Sequence, residues 1–377
     1  MTRFLHTADW QIGRQYARFA AEDAAALSEA RFAVVERIAA LAQAENVTAV
    51  LVAGDVFDTQ TVSERTLRRL FNALAAYSGP WIMIPGNHDA ALAESVWTRA
   101  QRLGVVPANV HLALQPQVLE FAAAGFAVLP APLRQRHTHE DLTAWFDEAE
   151  TGAGLLRIGL AHGSVTGVLA ADIDSPNPIA ADRAQRARLD YLALGDWHGC
   201  RQLDARSWYA GTPEQDRFKA NAPGNVLLLE LAAPGAEPVV ELRSVGAHRW
   251  FELNARLAVP SDLEQLLAEL AALPAAAVVA LTVSGELDLA QRERLQQALA
   301  AAEARLRSLQ VDLSGVQLAL GEQDLAGLHA DGYVAAVIDE LRTRAAAEDE
   351  TSLAARDALL ILAGMLGVGV GGPEGAV

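Results

Sequence analysis

Short apolar runs alternate with longer amphipathic segments along the first part of the chain. The short runs predict strands at residues 4–8, 47–53, 81–84, 155–161 and 191–194. The longer segments predict helices at residues 22–44 and 63–76, the second with Ser63 as its N-cap. Further strands are predicted at residues 207–210, 226–231 and 239–242. Strands and helices that alternate in this way predict a layered α/β fold.

The pattern changes after about residue 247, which predicts a second unit. Strands are predicted at residues 250–257, 277–283 and 311–318, separated by helices at 261–273, capped by Ser261, and at 289–308. Two more helices, at residues 333–343 and 351–366, precede a glycine-rich tail that we expect to be flexible. We therefore divide the chain into residues 1–246, 247–325 and 326–377.

Composition narrows the functional classes. The formal net charge of −17 argues against a protein whose whole surface coats nucleic acid, although a local groove remains compatible with it. Lys219 is the single lysine, and Cys200 is the single cysteine, so no intramolecular disulfide can form. No signal-peptide pattern and no apolar run long enough to span a membrane are present. We therefore expect a soluble cytoplasmic protein with no membrane partner.

Residues that bind metals follow the predicted strands of the first unit. They are Asp9, Asp55, Asn87, His88, His162, Asp196 and His198. One aspartate at a strand end is usually a turn residue or a helix cap. Five strand ends that all carry Asp, Asn or His are better explained by a common site, because strand ends meet at one edge of such folds. The adjacent glycines permit the sharp turns that let these side chains converge.

Oxygen ligands mixed with imidazoles suit Mn, Fe or Zn. Two such cations can activate water and clamp a phosphoryl oxygen, and Asp55 is the candidate for the carboxylate that bridges them. His88 would protonate the leaving oxygen or stabilise the charge of the transition state. Asp89 would orient His88.

The order and the residues of these motifs resemble those of the calcineurin-like metallophosphoesterase superfamily. The motifs are GDVFD at residues 54–58, GNHD at 86–89, AHG at 161–163 and GDWH at 195–198, within a resemblance that covers residues 4–218. The opening HTADWQIG at residues 6–13 resembles the SbcD-type DNA-repair exonucleases, and YhaO-type relatives are similar in layout. Protein phosphatases of the superfamily would show GDxVDRG instead.

The resemblance implies a four-layer α/β/β/α sandwich with a small α+β capping domain and C-terminal helices. It also implies two divalent metal ions, Mn first and Fe or Zn as alternatives, and nuclease action on DNA ends in DNA repair. The implied partner is an SMC-like, SbcC-type coiled-coil ATPase that docks on the C-terminal helices. A homodimer through the N-terminal helices is a further expectation.

Two positions depart from the family pattern: Gln11 and Asp196 stand where the family has histidines. By position, one metal would take Asp9, Gln11, Asp55 and His198, and the other Asp55, Asn87, His162 and Asp196. Candidates to hold substrate phosphates are loop arginines near the strand ends: Arg14, Arg134, Arg136, Arg201 and Arg217. Trp10 and Trp197 are expected either to shape a groove or to pack in the core, and His6 is expected to be packed.

Two other functions stay open from the residues alone. The acidic charge and the single lysine favour a small-molecule phosphodiesterase or phosphomonoesterase. The replacement of a ligand histidine by Gln11 favours a non-catalytic scaffold, whereas His88 argues against one. The opening motif and the extra C-terminal region favour the nuclease.

Overall fold

The computed structural model describes residues 1–167, 176–219, 221–318, 333–347 and 352–365. The chain divides into two compact units, Met1–Arg249 and Trp250–Val377. The tail predicted to be flexible lies outside the described residues. Within those residues, no helix is both long enough and apolar enough to cross a membrane.

The first unit contains strands and helices in alternation, as predicted. Its strands are β1 (Thr2–Thr7), β2 (Ala49–Ala53), β3 (Trp81–Ile84), β4 (Val110–Leu112), β5 (Leu119–Phe121), β6 (Phe126–Ala131), β7 (Leu156–His162), β8 (Ser164–Val165), β9 (Pro178–Ile179), β10 (Tyr191–Gly195), β11 (Arg201–Gln202), β12 (Ser207–Tyr209), β13 (Asn225–Leu231) and β14 (Val239–Ser244). Its helices are α1 (Ala21–Ala44), α2 (Glu64–Ala73), α3 (Val96–Arg102) and α4 (Arg183–Arg186).

Two six-stranded sheets form the centre of this unit, in the orders β14-β13-β1-β2-β3-β4 and β11-β12-β10-β7-β6-β5. Strands β1 to β4 run parallel in the first sheet, and β12, β10, β7 and β6 run parallel in the second. The parallel strands are the ones that carry the metal-binding motifs, so their carboxyl ends define the edge where a site can form.

The two sheets pack face to face, and helices cover their outer faces. Phe4 and Ile82 of the first sheet share one buried cluster with Phe126 and Ile158 of the second. Helices α1 and α2 pack on the outer face of the first sheet, and α4 lies in the cluster outside the second. The predicted four-layer α/β/β/α sandwich is therefore confirmed. Strand β2 is buried along its whole length because both of its faces are covered.

Local sequence explains where some elements begin. Ser63 caps α2 as predicted, because its hydroxyl accepts a hydrogen bond from the Thr66 N–H at 3.1 Å. Strand β6 was not predicted, and it contains Pro130, which cannot donate to a sheet ladder. The structure tolerates this proline because β5 pairs only with residues 126–128 and ends before Pro130.

The second unit contains a three-stranded sheet with two helices and a separate helix pair. Its elements are β15 (Arg249–Leu257), α5 (Pro260–Ala272), β16 (Ala277–Leu287), α6 (Leu289–Arg305), β17 (Ser308–Leu318), α7 (Tyr333–Ala345) and α8 (Ser352–Met365). The strand order is β15-β16-β17, with β16 and β17 parallel.

The predicted cap of the first helix in this unit is wrong. Helix α5 begins at Pro260, so Ser261 lies inside its first turn and Val259 occupies the N-cap position. Proline suits the first helical position because its fixed φ is already helical. Asp262 instead ties the preceding chain to the first turn, since its carboxylate accepts the N–H groups of Ala258 and Val259.

Candidate metal centre

The motif residues of both sheets converge at the carboxyl ends of their strands. Backbone hydrogen bonds join the loops: the Asp9 N–H donates to Gly54 O at 3.1 Å, and the Gln11 N–H donates to Asp55 O at 3.0 Å. Across the sandwich, the Asp196 N–H donates to Asp9 Oδ1 at 3.2 Å. The two sheets are thus tied together at the point where the ligands meet.

Unusual backbone conformations turn the ligands inward. Asp9, Gln11, Asp55 and Asp196 all have positive φ, at 56°, 51°, 53° and 97°. Residues with a side chain rarely adopt this region, so it marks positions where the fold holds the chain against its preference. Glycine is required beside them: a side chain at Gly86 would overlap the Asp55 carboxylate.

Asp9, Asp55 and His162 form the tightest group of the centre, with one ligand atom from each lying within 4.8 Å of the others. His162 Nδ1 donates to Ala53 O at 2.8 Å, because a carbonyl can only accept. Nε2 faces the site, 3.5 Å from Asp55 Oδ1 and 3.7 Å from Asp196 Oδ1, and it would offer a lone pair to a cation once it loses its proton. Asn87 Oδ1 lies 3.0 Å from the same nitrogen.

Unsatisfied acceptors in this group show that the residues fit a cation. Asp9 Oδ2 and Gln11 Oε1 are buried without any hydrogen-bond partner in the protein. Such atoms are rare in folded proteins because an unpaired buried acceptor costs about 1–3 kcal/mol. The Asn87 NH2 group fits best when it donates to Asp55 and His162, and the side chain would turn its oxygen inward to meet a cation. A divalent ion held by these residues would satisfy the unpaired acceptors.

The pKa values report the same excess of negative charge. Burial raises the pKa of Asp9 to about 6, although His198 and His162 oppose the shift. Burial also raises the pKa of Asp196. Burial alone would lower the pKa of His162, but Asp55, Asp196 and Asp9 together raise it to about 9. Raised pKa values at the buried carboxylates and at His162 both mean that added positive charge would stabilise this group. They indicate a place where a cation could bind.

His88 lies at the mouth of the site, with 31% of its side chain exposed and Nε2 4.0 Å from Asp55 Oδ2. Its Nδ1 donates to Asp58 O at 2.8 Å. Asp89 was expected to orient this ring, and that expectation is wrong. The Asp89 carboxylate instead accepts the N–H groups of Phe57 and Gly86, and burial raises its pKa to about 7. Asp89 therefore holds the ligand-bearing loops together, and the Asp58 carbonyl orients His88.

His198 belongs to a network that the sequence did not reveal. Its Nδ1 lies 3.1 Å from Asp216 Oδ2, and Arg217 Nη2 lies 2.8 Å from the same nitrogen. Burial would raise the pKa of Asp216, but His198 and Arg31 hold it well below its usual range. Arg14 also pairs with Asp216, at 3.2 Å.

Arg31 supports the same corner from helix α1. It is buried and donates to Trp10 O and Thr212 Oγ1, at 2.9 and 3.2 Å, and to Glu214 O at 3.1 Å. Its position among the apolar residues of α1 was a signal available in the sequence, because an arginine on a buried helix face needs partners there. The identity of those partners depends on the tertiary fold.

The arginines predicted to hold phosphates divide into two sets. Arg14 and Arg217 lie at the Asp216 network, and Arg201 lies against Trp197. Arg134 and Arg136 are exposed in the loop after β6, and neither side chain forms a hydrogen bond or ion pair with the metal-binding residues among those described. Trp10 is fully buried, and its ring packs edge-on against Trp81 in the core.

His6 packs in the core as expected. Its Nδ1 lies 3.0 Å from the Tyr191 hydroxyl, and burial lowers its pKa to about 3.

Comparison with known proteins shows which family has these motifs. Residues 2–224 match the family model described as calcineurin-like phosphoesterase. The chain belongs to the calcineurin-like phosphoesterase family. The match covers the whole set of ligand motifs, so the family assignment and the geometry refer to the same residues.

Two curated relatives of this chain are SbcD components of the nuclease SbcCD. The chain is 42% identical to the one from Rhodobacter capsulatus over 94 residues, which are 24% of this chain and 22% of that protein. It is 25% identical to the one from Bacillus subtilis over 273 residues, 62% of this chain and 67% of that protein. The first match therefore spans about a fifth of the relative's length.

Among solved structures, the crystal structure of TT1561 of Thermus thermophilus is similar at 15% identity and a TM-score of 0.41. The similarity covers 65% of this chain and 99% of that chain.

Proposed function

We propose that the protein is a two-metal-dependent phosphodiester hydrolase that cleaves DNA in repair. The observation that carries the proposal is the group of buried acceptors without donors, Asp9 Oδ2 and Gln11 Oε1, beside Asp55 and His162. Such a group concentrates negative charge that a pair of cations would neutralise, and the family supplies the reaction class.

The residues that would hold the cations are those named from the sequence, Asp9, Gln11, Asp55, Asn87, His162, Asp196 and His198. We propose Mn as the physiological metal, with Fe or Zn as alternatives, because the set mixes oxygen and imidazole donors. A bound pair of divalent ions supplies Lewis-acid activation of water and neutralises charge on the phosphoryl oxygens. Everything else in the reaction falls to groups of the chain itself.

His88 is the residue placed to move a proton. Because Nδ1 donates to the Asp58 carbonyl, Nε2 is the nitrogen that gains and gives a proton toward the site. The ring is partly exposed, so Nε2 can reach the leaving oxygen of a bound phosphodiester. The Asp58 carbonyl is a positioning group, since it fixes the ring without contacting the substrate.

Arg14 and Arg217 are the cations best placed to bind phosphate oxygens. Both contact Asp216, and both keep part of their side chains exposed, 26% and 47%. Guanidinium groups suit phosphate because they donate two parallel hydrogen bonds. Asp216 holds them at the rim of the site until a substrate competes for them.

DNA as the substrate and an SMC-like, SbcC-type ATPase as the partner are supported by similarity to the two SbcD components of SbcCD nucleases. Helices α7 and α8 are the candidate docking segment, because they pack on each other around Ile338 and Leu359 while Ile361 stays exposed. A homodimer is part of the same proposal and is tested by light scattering, where a monomer would remove it.

One assay panel tests the hydrolase. Purified protein with Mn is given double-stranded DNA, single-stranded DNA, bis-p-nitrophenyl phosphate and p-nitrophenyl phosphate. We expect diester and DNA cleavage, with kcat reduced on the order of a hundred- to ten-thousand-fold in His88→Ala. Arg65→Gln, an exposed arginine change on α2, is the matched control and should keep wild-type rates.

The same panel separates the alternatives. The net charge of −17 favours a small-molecule phosphoesterase, for which the monoester would be cleaved and both DNAs left intact. Gln11 favours a scaffold, for which Mn would bind and all four substrates would survive. Either result would contradict the nuclease proposal.

A further inference from the structure

Two cations near the metal centre, Arg201 and Lys219, have no carboxylate partner in the part of the chain that the structure describes. The chain has 47 acidic residues and 30 lysines and arginines, so its net charge is strongly negative. Arg201 and Lys219 are both exposed, and among the described residues neither forms an ion pair. Two unneutralised cations close together form a local positive patch on this acidic protein, and such a patch can receive an anion.

Both cations are held against one aromatic ring. The Arg201 guanidinium carbon lies 5.6 Å from the centre of the Trp197 ring, and Lys219 Nζ lies 4.9 Å from it. Cations within about 6 Å of a tryptophan face are attracted by the ring quadrupole. This attraction gathers two like charges that would otherwise repel each other. We call Trp197, Arg201 and Lys219 the Trp197 platform.

The platform is next to two of the proposed ligands in the chain. Trp197 lies between Asp196 and His198 in the chain, and part of its ring packs against the cluster outside the second sheet. The remainder of the side chain is accessible. A group that approaches the metal centre from this side therefore meets two positive charges and an aromatic surface together.

We propose that the Trp197 platform binds the nucleotide next to the scissile phosphate. Arg201 and Lys219 would contact the phosphate of that nucleotide, and its base would stack on Trp197 or on the Arg201 guanidinium. This inference rests on the proposed phosphodiesterase function, and it specifies the form of the substrate.

The nucleotide on the platform has to be unpaired. A base can reach a ring that directly adjoins the metal ligands only if it leaves the duplex stack. The chemistry of the platform therefore favours a single-stranded or frayed end over an intact duplex. Stacking of this kind is tolerant of sequence, because every base has a π-face.

Binding, measured without turnover, tests the proposal. Full-length protein carrying His88→Gln is titrated with Mn and a fluorescein-labelled oligothymidylate, and fluorescence anisotropy is followed over a range of salt concentrations. Removing one phosphate contact, in Lys219→Gln or Arg201→Gln, should lower the magnitude of the salt slope by about 0.7. The matched control Arg65→Gln removes the same charge elsewhere and should leave the slope unchanged.

The aromatic part has its own test. Trp197→Leu should weaken oligothymidylate binding by about 5- to 150-fold, the range expected from loss of one base stack, whereas Trp197→Phe should retain most of the affinity. Trp145→Leu, a half-buried tryptophan in the same outer cluster, controls for loss of packing. Circular dichroism and Tm confirm that each variant is folded.

Several results would overturn the platform. These are wild-type affinity in Trp197→Leu, unchanged salt slopes in both cation variants, or tighter binding of a blunt duplex than of the single strand. Hydrolysis of bis-p-nitrophenyl phosphate by the wild-type protein separates the two proposals. If it occurs and the platform variants bind normally, only the platform fails; if neither it nor DNA cleavage occurs, the hydrolase itself fails.

Discussion

Gln11 donates a hydrogen bond from Nε2 to Asp55 Oδ2 at 2.8 Å, and both residues are buried. The amide therefore occupies one lone-pair direction of the carboxylate that is proposed to bridge two cations. A histidine in this position would face the site with a nitrogen lone pair, whereas glutamine offers a neutral oxygen. The centre should consequently bind its two cations unequally, with the weaker site beside Gln11.

Gln11→His should strengthen the weaker site. Replacing a neutral amide by imidazole, and freeing the Asp55 oxygen, should raise Mn affinity there by roughly ten- to a hundred-fold. Isothermal titration calorimetry measures both sites in one experiment. Two equally tight sites in the unaltered protein would contradict the asymmetry. Gln60→His, outside the ligand cluster, serves as the control.

Asp55→Asn should remove metal binding without unfolding the protein. The carboxylate contacts both His162 and the loop of His88, so its loss removes a ligand and also relieves repulsion among the buried acids. We expect the rise of Tm with added Mn to disappear, while the Tm of metal-free protein stays equal or increases. Glu22→Gln, at an exposed position of α1, is the matched control. A Mn-dependent Tm in Asp55→Asn would count against the site.

Arg31→Ala should destabilise the fold strongly. The substitution leaves the buried Asp216 without one of its cations, and it removes the Arg31 donor from the carbonyl groups of Trp10 and Glu214. Breaking such a buried network costs about 3–5 kcal/mol. The free energy of unfolding in urea measures this loss. Arg68→Ala breaks an exposed pair on α2 and should cost under about 1 kcal/mol, so equal effects would show that the network is not structural.

His6 should make stability depend on pH. Burial lowers its folded pKa to about 3, below the unfolded value of about 6.5, so the unfolded chain binds a proton first as the pH falls. The contribution of the neutral His6 ring to the free energy of unfolding is complete above the unfolded pKa. It decreases below that pKa, by about 2 kcal/mol between pH 7 and pH 5. The free energy of unfolding, measured in urea at pH 7 and at pH 5, should differ less between the two pH values in His6→Gln than in the unaltered protein. An identical pH dependence in both proteins would refute the assignment.

The convergence of Asp9, Asp55 and His162 could be predicted because these residues follow or end strands that are recognisable from local sequence. Asp55 follows a run that is buried on both faces, and His162 ends another, so their meeting at one edge follows from the layered fold. The role of Asp89 could not be read in the same way. Its neighbour in the chain is His88, but the carboxylate contacts backbone groups of other residues of the site loops. Sequence proximity and spatial contact differ here.

The Asp216 network was missed for a related reason. Asp216 lies beyond the last metal motif, and its partners Arg14 and Arg31 come from the start of the chain. Periodicity can show that Arg31 lies on a buried helix face, but only the assembled sandwich brings it near a particular acid. Pro130 shows that a local rule can also mislead. Proline usually argues against a strand, but here it is accommodated because the neighbouring strand β5 ends before it.

The positive φ angles of Asp9, Asp55 and Asp196 set a limit on how the protein can be engineered. Glycine adopts that conformation freely, whereas for each aspartate it costs about 1–2 kcal/mol. Laboratory evolution that rewards heat resistance alone should therefore drift toward glycine at these three positions and produce a sturdier, inert protein. Any screen for thermostable variants has to score hydrolysis in the same round, because here durability and catalysis compete for the same residues.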